Sequence, residues 1–207
     1  MAQYFSIHPD NPQPRLIRRA VEIVRVGGVI VYPTDSCYAL GCHLGDKEAM
    51  ERLRAIRRVG ERHHFALVCR DLAELAVYAR VDNRQFRLLK RVTPGSYTFI
   101  LQATREVPKR LLHPSRKTIG LRVPDHRVVQ ALLGELGEPL LSSTLHLPGD
   151  EWPLNDAREI RDRLEHEVDL VLDSGPCGIT PTTVVDLTGE DAVITREGKG
   201  SLQLFSR

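Results

Sequence analysis

A chain of 207 residues with 42% hydrophobic and 27% charged side chains and a net charge of +2 has the make-up of a folded globular protein. No apolar run approaches the ~20 residues that cross a bilayer, and residues 1–14 lack the basic start and apolar stretch of a secretory signal, so a cytoplasmic protein without a membrane role is expected. Charge is unevenly spread: residues 52–127 carry 18 basic against 6 acidic side chains (+12) and residues 128–207 carry 6 against 15 (−9), so the small total conceals a basic middle suited to an anionic partner.

In chain order, residues 15–26 place Leu16, Ile17, Ala20, Val21, Ile23 and Val24 at helical spacing and stop at Gly27-Gly28, predicting a helix with a glycine end. The β-branched run 29–32, ended by Pro33, predicts a buried strand. Asp46 is placed to cap a helix over 47–58 that turns Ala49, Met50, Leu53 and Ile56 inward. A strand at 65–69, a short helix at 72–78 and a basic helix from the cap Asp82 to about residue 92 follow. The turn Thr93-Pro94-Gly95-Ser96 leads into a strand at 97–103. Then come a strand at 118–123, a helix at 127–136 closed by Gly137, a strand at 139–143 and a charged helix at 156–167. Strands at 170–173, 183–187 and 192–196 complete the series. Strands separated by helices, with no repeat or linker, predict one α/β domain with a mixed sheet.

Generic catalytic motifs are absent. There is no Walker A loop, no GxGxxG between strand and helix, no GxSxG and no HExxH. Cys37, Cys42, Cys69 and Cys177 form no CxxC pair, so neither a redox motif nor a metal site is expected, even with His43, His63 and His64 nearby. The distinctive segments are strand ends rich in hydroxyls. They are Tyr32-Pro33-Thr34-Asp35-Ser36, Pro94-Gly95-Ser96-Tyr97-Thr98-Phe99, Gly120-Leu121-Arg122-Val123-Pro124, Leu141-Ser142-Ser143-Thr144 and Pro181-Thr182-Thr183-Val184-Val185-Asp186. Ligands of open α/β sheets bind at the carboxyl ends of strands. An arginine at such an end is suited to bidentate capture of carboxylate or phosphate.

These five segments, in this order, resemble the YrdC-type family of threonylcarbamoyl-AMP synthases over residues 10–205. The opening Ile7-His8-Pro9 and the closing Arg196-Glu197-Gly198 resemble its YciO-like branch. The resemblance implies a single α/β domain whose twisted open mixed sheet, with flanking helices, presents a basic concave surface. It implies condensation of L-threonine, bicarbonate and ATP, with Mg²⁺, into threonylcarbamoyl-AMP and pyrophosphate, in the service of tRNA modification and with no tightly bound cofactor. It assigns Thr34, Arg122 and Thr182 to threonine, and Arg57, Arg58, Thr98, Ser142, Thr144 and Arg196 to the nucleotide. Two positions depart from the family pattern. Arg57-Arg58-Val59 stands where synthases carry Lys-x-Arg, with Arg62 nearby, and Thr144-Leu145-His146 stands where they carry Ser-x-Asn. Slow synthesis is therefore one expectation; the alternative is a noncatalytic nucleotide-, tRNA- or double-stranded-RNA-binding protein. For RNA the residues are the arginine stripes Arg54, Arg58, Arg84, Arg87 and Arg91, which otherwise read as solvated helix faces.

Overall fold

The computed structural model describes residues 1–60 and 63–205. Ten strands form one mixed sheet in the order β1-β8-β2-β3-β7-β4-β6-β5-β9-β10. They are β1 (Gln3–Ser6), β2 (Ile30–Tyr32), β3 (Ala39–His43), β4 (Ala66–Val68), β5 (Tyr97–Gln102), β6 (Thr118–Arg122), β7 (Leu140–Thr144), β8 (Leu170–Asp173), β9 (Thr183–Asp186) and β10 (Val193–Arg196). Pairing is parallel for β1 with β8, β2 with β8, β4 with β6 and β5 with β9, and antiparallel elsewhere.

Six α-helices flank the sheet: α1 (Pro14–Arg25), α2 (Lys47–Arg57), α3 (Leu72–Tyr78), α4 (Asn83–Val92), α5 (Arg127–Leu136) and α6 (Ala157–Leu164). Their starts are set by local chemistry. Asp46 accepts from the Ala49 amide, and Asp82 and Gln85 form a reciprocal capping box. Pro14 supplies a preset first turn to α1. Gly137, at φ +78°, closes α5 in the left-handed conformation that glycine adopts without strain.

The two sheet faces differ. On one, α2, α3, α4 and α6 pack on Val31, Leu40, Leu67, Phe99, Leu101, Leu121, Leu141 and Val185 in a large core. On the other, α1 and α5 cover Ile30, Tyr32, Val68, Leu140, Leu170 and Leu172, and no residue of β5, β6 or β9 joins that second core. The helices thus cover only half of this face. Because side chains alternate along a strand, Ala66, Thr98, Gly120 and Ser142 are left on the uncovered half.

The structure departs from the sequence expectations in three places. No strand is expected over residues 1–14, yet β1 forms by parallel pairing with β8, and the Tyr4 hydroxyl donates to Asp173 Oδ2 at 2.6 Å. No strand is expected directly after Pro33 either, yet residues 39–43 re-enter the sheet as β3. The helix expected over 47–58 ends at Arg57, and Arg58 caps it at φ 48°, so Arg58 does not share a helical face with Arg54 and Arg57. No helix among the described residues is long and apolar enough to cross a membrane.

Candidate functional site

The uncovered half of the sheet floors a cavity of about 300 Å³. Its floor is made of small side chains at register-paired positions, Ala66 opposite both Gly120 and Ser142, and Ile100 opposite Gly120. A Cβ on Gly120 would stand 3.4 Å from Thr98 Cγ2 and 3.6 Å from the Ala66 Cβ, so the missing side chain is part of the cavity. The same strands that send Phe99, Leu121 and Leu141 into the core send Thr98, Gly120 and Ser142 to this floor.

Of the residues singled out by sequence, Arg57, Thr98, Arg122, Ser142, Thr144, Thr182 and Arg196 all line this cavity. Arg122 is its deepest charge, at 5% exposure. Its Nη2 donates to Asp35 Oδ1 at 3.0 Å and to Ser36 Oγ at 3.1 Å. Its buried Nε has no hydrogen-bond partner among the described residues, nor does that of Arg57. Buried guanidinium N–H groups without partners, on residues that line a cavity, are suited to a carboxylate or phosphate. Burial also lowers the pKa of Arg57, and burial followed by the nearby Arg122 charge lowers that of Arg196. An entering anion relieves that repulsion.

The hydroxyls are partly committed. Ser142 Oγ donates to the Leu40 carbonyl at 3.1 Å and pairs with the Tyr32 hydroxyl at 2.6 Å. Because Ser142 spends its one hydroxyl hydrogen on Leu40, Tyr32 is the donor of that pair, and burial pushes its phenol up to about 12. Thr98 and Thr182 pair through their hydroxyls at 2.8 Å, and Arg196 holds the Thr182 carbonyl from Nη2 at 2.9 Å. Thr34 lies beside the cavity rather than in its wall. Its hydroxyl donates to the Cys37 carbonyl at 2.6 Å and accepts from the Ser36 and Cys37 amides, fixing the loop that presents Asp35 and Ser36 to Arg122. Lys199 donates to the Asp35 carbonyl, so the segment after β10 also closes on this loop.

The remaining arginines lie elsewhere. Arg54 turns inward, donating to the Gly60 carbonyl at 2.9 Å with its guanidinium over the Phe65 ring at 5.1 Å. Arg58 is exposed beyond the helix end, and Arg62 lies outside the described residues. Arg84, Arg87 and Arg91 line a separate groove whose lining includes Glu190 and Asp191, with Arg84 at 3.0 Å from Asp191. Val59, at the second departure from Lys-x-Arg, packs against the large core and does not line the cavity.

Sequence reasoning missed Asp35 and Ser36 as the partners of Arg122, and missed His63, His64, His113 and Arg116 in the cavity wall, whereas His146 is marked by its place in the segment that resembles Ser-x-Asn. Only the fold brings residues 63–64, 113 and 146 together. No carboxylate lines this cavity among the described residues. A Mg²⁺ ion here fits as a guest of a ligand's phosphates rather than of protein carboxylates.

Comparison with known proteins agrees with this architecture. Residues 22–198 match the Sua5/YciO/YrdC family, whose description is telomere recombination. The chain is 60% identical over 205 residues to the uncharacterized protein YciO of Escherichia coli (strain K12), covering 99% of this chain and 100% of that one. It is 35% identical over 182 residues to the threonylcarbamoyl-AMP synthase of Chromobacterium violaceum, covering 86% of this chain and 92% of the synthase. The crystal structure of E. coli YciO superposes with a TM-score of 0.96 at 59% identity over the whole of both chains. P. abyssi Sua5 complexed with L-threonine shares the fold, with a TM-score of 0.86 at 23% identity over 94% of this chain and 57% of that one.

Proposed function

Because this chain belongs to the Sua5/YciO/YrdC family, we propose that its sheet-floored cavity binds ATP and an L-threonine-type amino acid and forms threonylcarbamoyl-AMP slowly. The observation that carries this reading is Arg122: a buried guanidinium held by Asp35 and Ser36, with an N–H left over, lining a cavity shared with Arg57 and Arg196. In this reading Arg122 takes the amino-acid carboxylate, Thr182 and the Thr34 loop shape that end, and Arg57, Arg196, Thr98, Ser142 and Thr144 receive the nucleotide. The threonine amine and bicarbonate give a carbamate and water. A carbamate oxygen then bonds to the α-phosphorus as the bridge to the β-phosphate breaks, releasing pyrophosphate. Charge builds on the α-phosphate in that step, where preorganised guanidiniums stabilise it most.

The low rate follows from the wall opposite Arg122. Arg57 replaces a lysine, and the two are not equivalent at a phosphate. The His146 Nε2 is already engaged with the Asp150 carbonyl at 2.8 Å, so this position offers the cavity one ring nitrogen where an amide offers three bonding positions. The same feature favours a second reading, in which the cavity binds nucleotide without turnover. Pyrophosphate release that requires ATP, threonine and bicarbonate together supports synthesis. Calorimetric binding of ATP and threonine without such release supports the second reading, and binding of neither at millimolar concentration overturns both.

A further inference from the structure

A second cavity, of about 900 Å³, adjoins the first, and the two share His63, His64, Phe65 and His113 in their walls. The His64 and His113 rings lie 4.9 Å apart, tilted by 34°. Cations flank the junction on both sides. Arg57 and Arg116 line the first cavity, and Lys47, Arg54, Lys109, Arg110 and Lys117 line the second, against one carboxylate, Glu51, among the described residues. Arg54 and Glu51 are mutually occupied, at 3.6 Å, and Arg116 stands 3.8 Å from Asp186 across β9.

We propose that this histidine junction binds a polyphosphate group, taking up protons as it does so. The group is either the distal phosphates of a nucleoside triphosphate whose nucleoside end occupies the first cavity, or free inorganic polyphosphate. Identifying the first source rests on the nucleotide reading above; the anion site itself does not.

Two features support the assignment. Among the described residues, the junction gathers three imidazoles and several guanidinium and ammonium groups with Glu51 as the one lining carboxylate, an arrangement that is unfavourable until an anion enters. Burial is the largest influence lowering the pKa of His63 and of His64. The neighbouring Arg57, Arg54 and His64 add to it for His63, and His113 and Arg54 add to it for His64. A polyanion reverses the sign of that field, so imidazoles that are neutral in the free protein become charged donors in the complex. The His113 Nδ1 accepts from the Ser115 and Arg116 amides, which fixes its ring in the tautomer that carries the hydrogen on Nε2 and so offers an anion a donor without taking up a proton.

The test is titration calorimetry of the whole chain with inorganic tripolyphosphate, ATP and AMP at pH 6 and pH 8, in two buffers of different ionisation enthalpy. Tripolyphosphate itself loses negative charge as pH falls, so any tightening at low pH comes from the protein. The expected result is affinity about tenfold higher at pH 6, with net proton uptake, corresponding to about one coupled site. In the double variant His63→Asn with His64→Asn the pH dependence flattens, and an unchanged melting temperature verifies that the fold survives. Lys109→Ala weakens tripolyphosphate at both pH values and leaves the slope intact, because the slope belongs to the histidines. Affinity that does not depend on pH, or a slope that survives the double variant, overturns the junction. AMP binding without tripolyphosphate binding overturns the junction and leaves the nucleotide reading standing. Tripolyphosphate binding with the predicted slope but no AMP binding does the reverse.

Discussion

Replacing Arg122 by alanine tests the structural and the chemical role of this side chain in one experiment. Arg122 and Asp35 sit 3.0 Å apart with side chains only 6% and 8% exposed. Removing one member of a buried ion pair costs about 3–5 kcal/mol, mostly because the other charge is left without compensation. Here Asp35 keeps the Asp125 amide on Oδ2 at 2.9 Å, which places the loss at the lower end, about 3 kcal/mol. At roughly 2–4 °C per kcal/mol for a chain of this size, the melting temperature falls by about 6–12 °C. Neutralising both partners, as Arg122→Met with Asp35→Asn, leaves no stranded charge and recovers more than half of that loss. Urea and thermal unfolding of the two single variants and the double variant give the coupling energy, expected at about 2–3 kcal/mol. Calorimetry with threonine on the same proteins separates the roles, since recovered stability does not bring back carboxylate capture. If Arg122→Ala melts within about 2 °C of the parent, the pair is not a structural tie and the reasoning fails. Undiminished threonine binding by the double variant removes Arg122 from the ligand site.

Four further outcomes are expected. Gly120→Ala adds a Cβ that meets Thr98 and Ala66 only at ordinary contact distance, so it folds with a melting temperature near the parent's, yet raises the floor and weakens nucleotide binding by calorimetry. Arg57→Lys combined with His146→Asn raises threonine-, bicarbonate- and ATP-dependent pyrophosphate release about tenfold or more. Val59→Arg adds nothing to that rate and destabilises by about 1–3 kcal/mol, because Val59 packs against the core rather than the cavity. Arg84→Glu with Arg87→Glu, which reverses two charges in the α4 groove, weakens tRNA binding equally for all sequences at low salt if that groove carries RNA. An unchanged filter-binding curve removes that groove from any RNA role.

The helices of this fold are legible where local chemistry sets both ends. Asp82 with Gln85 starts α4, Gly137 stops α5, and both helices run over the residues that the pattern marks. β1 is not legible, because four polar-flanked residues become a strand only through a partner about 167 positions away. β3 is not marked as a strand because its Gly41 lacks a side chain for a reason found on the neighbouring strand, where a Cβ would come within 2.7 Å of the Tyr32 ring. Arg122 and the hydroxyl segments are visible as candidates because they stand at strand ends beside proline and glycine. The partners that orient Arg122 are not visible as partners, since Asp35 and Ser36 resemble any polar turn until β6 is laid beside them. The His64 and His113 pair leaves no trace in the sequence, as each reads alone as a loop residue.

The half-covered sheet face also bears on how such a protein can change over time. Thr98, Gly120, Ser142 and Val184 belong to neither hydrophobic core, although their strand neighbours Phe99, Leu121, Leu141 and Val185 belong to the larger one. Each of these strands therefore reads as two interleaved texts, one that must satisfy packing and one that is free to follow a ligand. Drift on the cavity side leaves the interdigitated core untouched, where even a methylene matters. Arg122 and Asp35 are the exception, since they serve both texts at once. A lineage on this scaffold can thus exchange the side chains around Thr98, Gly120 and Ser142 by single substitutions, while abandoning the Arg122 end requires two changes together.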